Sequence, residues 1–106
     1  MNELLAEIRE VIGWEYSRAV ATYGAMNNSD HESYAVILEE LQEAKEQYDA
    51  LEDSFAYFWK LTKTNAEPQF KLSTLNVMRE AAEWLAAEAV QVAAMIYKSQ
   101  ITLQEK

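Results

Sequence analysis

The stretch SDHESYAVILEELQEAKEQYDALEDSFAYFWKLTK, residues 29–63, decides the fold. Tyr34, Ile37, Leu41, Ala44, Tyr48, Leu51, Phe55 and Phe58 recur at alternating spacings of three and four, the seam of an antiparallel helix pair or bundle. Ser29-Asp30-His31-Glu32 forms a capping box. In it, the Ser29 hydroxyl accepts from the backbone three residues on and Glu32 reaches back to the Ser29 amide. A helix over 30–63 is expected.

Outward from this stretch, the pattern stays helical. A first helix starts at the N-cap Asn2, runs through Leu5, Ile8, Ile12, Ala19 and Tyr23, and ends near Gly24 to Asn28. Gly13 inside it is a candidate kink. Residues 64–72, which carry the single proline, Pro68, read as the connection where the chain reverses. Ser73 or Thr74 then caps a third helix with the seam Leu75, Met78, Ala82, Leu85, Ala89, Val92 and Ile96, which frays after Ser99. With two glycines and no alternation of strand length, the class is all-α. The expectation is a bundle of three main helices, at about 2–25, 30–63 and 73–100, in one domain over 1–106. Helices 2 and 3 are expected to run antiparallel.

A chain of 106 residues, half of them hydrophobic, has apolar surface to spare for subunit contacts, so a homodimer or homotetramer is expected to complete the bundle. The net charge of −9 opposes direct nucleic-acid binding and anionic membranes, although an anionic nucleotide accompanied by a divalent cation stays admissible. The absence of cysteine excludes disulfides, thiolate zinc sites and cysteine nucleophiles. Acid near the N-terminus and the lack of a bilayer-length apolar run point to a cytoplasmic protein. No P-loop, dinucleotide glycine motif, Ser-His-Asp set or helix-turn-helix signal is present.

On a helical wheel with Ile37 at the seam, Glu40 and Glu43 share a flank and Glu39 points nearly the opposite way. With Leu85 at the seam, Glu88 and Gln91 occupy the matching flank of the third helix. In a hairpin turned at Pro68 the two pairs lie at levels that differ by roughly 5 to 10 Å. Three carboxylates and an amide oxygen brought together repel when dry, and a hard cation such as Mg²⁺ relieves this while leaving positions for phosphate oxygens. The plainer reading is a set of solvated glutamates, which an acid-rich helix produces by chance.

Glu39-Glu40-x-x-Glu43 followed by Glu88-x-x-Gln91 resembles the E-E-x-x-E and E-x-x-D signature of the MazG-like all-α nucleotide pyrophosphohydrolases. The blocks around Tyr23-Gly24, 29–41 and 87–95 are similar to a small branch of that group found in phage and prophage genomes. The resemblance implies Mg²⁺ (or Mn²⁺) held by Glu40, Glu43, Glu88 and Gln91. It further implies catalytic roles for Glu39 and Glu40 and hydrolysis of an NTP or dNTP to the monophosphate and pyrophosphate. Gln91 stands where the signature has Asp, and the interval between motifs is longer than usual, departures compatible with an altered substrate, weakened activity or a fold retained without catalysis.

His31 reads either as a general base or phosphate contact, or as part of the helix start. Trp84, one turn before Glu88, reads either as a platform for a nucleobase or as packing. Lys45 and Arg79 fall on other flanks, and Arg18, Lys60, Lys63 and Lys98 are expected to approach only through an oligomer or a loop. A different class of function is also compatible with the sequence: a non-enzymatic acidic helical assembly that binds a host partner or mimics nucleic-acid charge.

Overall fold

Three helices, α1 (Asn2–Tyr23), α2 (Asp30–Lys63) and α3 (Pro68–Gln104), make up the computed structural model, which describes residues 2–105. The described residues contain no strand, so the all-α expectation holds. Positions 1 and 106 of the expected domain lie outside the described residues. No helix is long and apolar enough to cross a membrane among the described residues.

α1 stays helical through Gly13 and stops two residues earlier than expected, at Tyr23. Gly24 takes φ +91°, a conformation that suits glycine, and its N–H donates to the Val20 carbonyl at 2.9 Å. At the start of α2 the Ser29 Oγ accepts from the Glu32 N–H at 3.1 Å, as the capping box requires. Glu32 reaches past Ser29, however, and accepts from the backbone N–H and Nδ2 of Asn28 at 3.3 and 3.0 Å.

The connection to α3 is shorter than the expected 64–72. α3 begins at Pro68, whose fixed φ and missing N–H suit the first helical turn, so residues 69–72 are helix rather than loop. Neither Ser73 nor Thr74 caps it: both lie inside α3, and the Thr74 hydroxyl donates to the Phe70 carbonyl at 2.9 Å. α3 also continues beyond Ser99 to Gln104 because its last turns are anchored. The Asn27 N–H donates to Thr102 Oγ1 at 2.9 Å, and Asn27 Nδ2 donates to Ser33 Oγ at 2.8 Å and Ser99 Oγ at 3.3 Å. Asn27, Ser99 and Thr102 are all buried. One asparagine therefore fastens the α1–α2 connection over the end of α3.

The earlier start of α3 also corrects the hairpin register. Glu43 stands as many residues before Lys63 as Glu88 stands after Pro68, so the two face each other and the expected offset between the acidic pairs disappears.

The α2–α3 interface uses only half of the apolar stripe expected at the seam. Ile37, Ala44, Leu51 and Phe58 on α2, with Met78, Leu85 and Val92 on α3, are at least half-buried. The second line facing inward is Ser33, Glu40, Gln47, Ser54 and Leu61 on α2, against Thr74, Ala81, Glu88, Met95 and Thr102 on α3. This line mixes small and polar groups, Ser33, Ser54, Thr74, Ala81 and Thr102, with longer side chains. The other half of the seam is exposed: Tyr34, Leu41, Tyr48 and Phe55 on α2, and Leu75, Ala82, Ala89 and Ile96 on α3. These two lines sit on the same rotational side of antiparallel helices, so they come onto one face of the hairpin.

α1 packs on α3 and not on α2, and it buries no residue fully. The Tyr16 and Tyr97 rings meet at 4.8 Å between centroids in a tilted arrangement. The radius of gyration is 18.0 Å, whereas a compact chain of this length has about 13 Å. The accessible surface is 7855 Å² against about 6,100 Å² for a compact monomer of the same mass. The buried apolar residues among those described are only Leu61, Ala81 and Ala94.

Candidate functional site

Glu40 and Glu43 lie one turn apart on α2, and the corrected register sets Glu88 of α3 beside them. One carboxylate oxygen from each lies within 4.8 Å of the others. Glu43 occupies the middle and is within hydrogen-bonding reach of both Glu40 and Glu88.

This grouping raises the proton affinity of two members. Burial pushes the Glu40 carboxyl above its ordinary value, and the charges of Glu43, Glu88 and Glu39 push it further, with a hydrogen bond that the protonated Glu40 carboxyl donates to Glu43 adding to the effect. Burial is also the largest cause for Glu88, followed by the charge of Glu43, its hydrogen bond and the charge of Glu46. Glu88 Oε2 is fully buried and has no hydrogen-bond partner among the described residues. A carboxylate oxygen in that state calls for a proton or a cation.

The donor set fits a hard divalent cation. All three donors are carboxylate oxygens, and their 4.8 Å envelope is slightly wider than the about 4.2 Å between opposite oxygens around Mg²⁺. Glu40, Glu43 and Glu88 could therefore hold such an ion after small side-chain movements, and the orphaned Glu88 oxygen would gain its missing partner.

Gln91 is turned toward α1. Its Nε2 donates to Glu15 Oε2 at 2.7 Å, and Glu15 Oε1 pairs with Arg18 Nη1 at 2.7 Å. The bond engages the nitrogen of the amide and leaves its oxygen, the atom expected at a metal, without a protein partner among the described residues. It also gives a physical reason for glutamine here, because an Asp at this position would set a second carboxylate against Glu15.

Two clefts share Glu40, Tyr23 and Met95 as common walls. One, of about 290 Å³, is lined further by Glu15, Arg18 and Gln91. The other, of about 350 Å³, is lined further by Asn27, Glu32, Glu39 and Lys98. Glu39 is exposed and outside the three-carboxylate group, yet it borders the same cleft as Glu40 instead of pointing away from it.

Arg18 and Lys98 both reach these clefts within one chain, against the expectation that they need an oligomer or a loop. Arg18 arrives because α1 docks on α3, and Lys98 because α3 continues past Gln91 along the cleft wall. Neither could be read from the flanks of α2 and α3 near the acidic motif alone. Lys45 is paired with Asp49 at 2.9 Å, and Arg79 donates to Asn76 at 2.7 Å. His31 is exposed in the first turn of α2 and Trp84 is exposed on α3; neither lines the two clefts.

No protein-family model, curated protein or solved structure matches this chain in the comparisons made.

Proposed function

We propose that this protein is a MazG-like, divalent-cation-dependent nucleotide pyrophosphohydrolase, of the phage or prophage type, that cleaves an NTP or dNTP to the monophosphate and pyrophosphate in the cytoplasm. The observation that carries the reading is the meeting of Glu40, Glu43 and Glu88 from two helices, with one buried oxygen of Glu88 unpartnered. Glu40, Glu43 and Glu88 hold Mg²⁺ or Mn²⁺, with the Gln91 oxygen as a weaker neutral donor. Bound there, the ion supplies charge neutralisation and Lewis-acid polarisation of a phosphoryl oxygen.

The remaining roles fall to the chain itself. Glu39, at the edge of the cleft, orients the attacking water and takes up its proton. The water oxygen bonds to phosphorus as the anhydride between the α- and β-phosphates breaks, and pyrophosphate leaves. Glu40 bridges the two clefts and so places both the cation and the phosphate chain.

The working unit in this reading is a homo-oligomer. The exposed face of Tyr34, Leu41, Tyr48, Phe55, Leu75 and Ile96 seats a second copy of the same hairpin. The surface in excess of a compact monomer is about 1,800 Å², more than the about 800 Å² per partner of a standard interface. A purely structural acidic assembly would use the same face, but it gives no reason for a buried, unpartnered carboxylate oxygen.

The test is a titration of Mn²⁺ and Mg²⁺ with a panel of nucleotides, following thermal stability and pyrophosphate release for the native chain and Glu40→Ala. Cation-dependent stabilisation and release, both lost in Glu40→Ala, support the reading. Absence of both in the native chain removes it.

A further inference from the structure

We propose that Lys98 is the phosphate-binding cation of this site, donating to a non-bridging oxygen of a polyphosphate that arrives with its divalent cation; the assignment rests on the metal-site reading above. Lys98 is only 5% exposed, and its ammonium has neither a hydrogen bond nor an ion pair among the described residues. The stem of the side chain is buried while its charged end has no protein partner among the described residues.

The ammonium is not sealed in. Among the described residues, the one fully buried side-chain nitrogen or oxygen atom without a partner is Glu88 Oε2, so Lys98 Nζ keeps access to open space. Lys98 lines the cleft of about 350 Å³ together with Asn27, Glu32, Glu39 and Glu40. Its size is within the range of small-ligand sites.

The chemistry of the walls narrows the ligand. Three carboxylates repel a bare anion, so a phosphate compound enters favourably only when it carries a divalent cation to the Glu40 side. Lys98 then faces the part of the phosphate chain that extends away from Glu88. A compact charge with three N–H donors suits a phosphate oxygen, and the bond is charge-assisted. The competing role for Lys98 is a built-in counter-charge to Glu39 and Glu40, which would make it a substitute for the metal and not a phosphate ligand.

Pyrophosphate separates the two roles. It is titrated calorimetrically into Mg²⁺-saturated native protein, Lys98→Met and Lys98→Gln, and Mn²⁺ binding without pyrophosphate is measured by electron paramagnetic resonance. The expected result is a loss of pyrophosphate affinity of about ten- to a hundredfold in both variants, with Mn²⁺ affinity retained or slightly tighter. Unchanged pyrophosphate affinity in a variant that still binds Mn²⁺ overturns the Lys98 assignment and leaves the metal site standing. Failure of the native protein to bind Mn²⁺ overturns the metal-site reading and the Lys98 role with it. A further readout in the native chain is the Lys98 side-chain nuclear magnetic resonance signal. It is expected to shift with pyrophosphate only when Mg²⁺ is present, and no shift on binding overturns the assignment even if the variants fail to fold.

Discussion

Gln91 of α3 donates its Nε2 to Glu15 Oε2 of α1 at 2.7 Å, and through that bond the residue that departs from the acidic signature becomes part of how α1 is docked. Glu15 in turn holds Arg18 at the cleft next to Glu40. Replacing the amide therefore changes both the site and the helix contact.

Gln91→Asp alone is expected to lower stability by about 1 to 3 kcal/mol, because it removes a hydrogen bond to a charged group and opposes two carboxylates. The double variant Gln91→Asp with Glu15→Gln restores a donor–acceptor pair with the roles exchanged. Under the proposed function it recovers stability and binds Mn²⁺ more tightly than the native chain. Thermal melts and Mn²⁺ titration of the three proteins check this; a double variant with native or weaker affinity counts against Gln91 as a ligand position.

The acidic cluster makes stability depend on pH in a defined direction. Glu40 and Glu88 bind protons more tightly when folded than the ordinary carboxylate value of 4.5. The stabilisation linked to those protons is fully present below that value and is lost as pH rises through the folded-state values. Metal-free protein is thus expected to melt at a lower temperature as pH rises from about 4.5 through the weakly acidic range. Glu88→Gln, which removes one of the repelling charges facing Glu43 and Glu46, should flatten this dependence. Saturating Mn²⁺ should oppose it, since metal and protons compete for the same oxygens. Melting curves across the pH range, with and without Mn²⁺, measure both effects.

Thr102→Val leaves the buried Asn27 N–H without its acceptor. The expected cost is about 1 to 3 kcal/mol, read as a fall of about 4 to 8 °C in Tm for each kcal/mol. Thr102→Ser keeps the hydroxyl and is expected to lose much less. A loss in Thr102→Ser with none in Thr102→Val, which keeps the methyl group, would point to packing in place of the hydrogen bond.

Phe55 is 61% exposed in the single chain, at the end of the exposed apolar line nearest the α2–α3 turn. Light scattering coupled to gel filtration is expected to report a homo-oligomer for the native chain, with a Tm that rises with protein concentration. Phe55→Lys should weaken association by about thirtyfold or more, in keeping with an anchor worth about 2 kcal/mol. A native chain that stays monomeric at all concentrations would remove this face as a subunit contact.

The helix class, the cap at Ser29 and the shared flank of Glu40 and Glu43 follow from the sequence, because the 3.6-residue period and short-range hydrogen bonds act within one helix. Pairing of that flank with Glu88 was also legible, apart from a level error that came from reading residues 68–72 as loop. Pro68 at the first helical position was the overlooked signal for it. The apolar seam could be located but not divided. Its heptad positions are the same whether they face the other half of the hairpin or a second copy, and only the packing of α2 on α3, which turns Ser33, Ser54 and Ala81 inward, decides which line is covered. Arg18, Lys98 and the Glu15–Gln91 bond reach the acidic site through the docking of α1 on α3 and the full length of α3. Side chains more than seventy residues apart meet there, and no local periodicity encodes such a meeting.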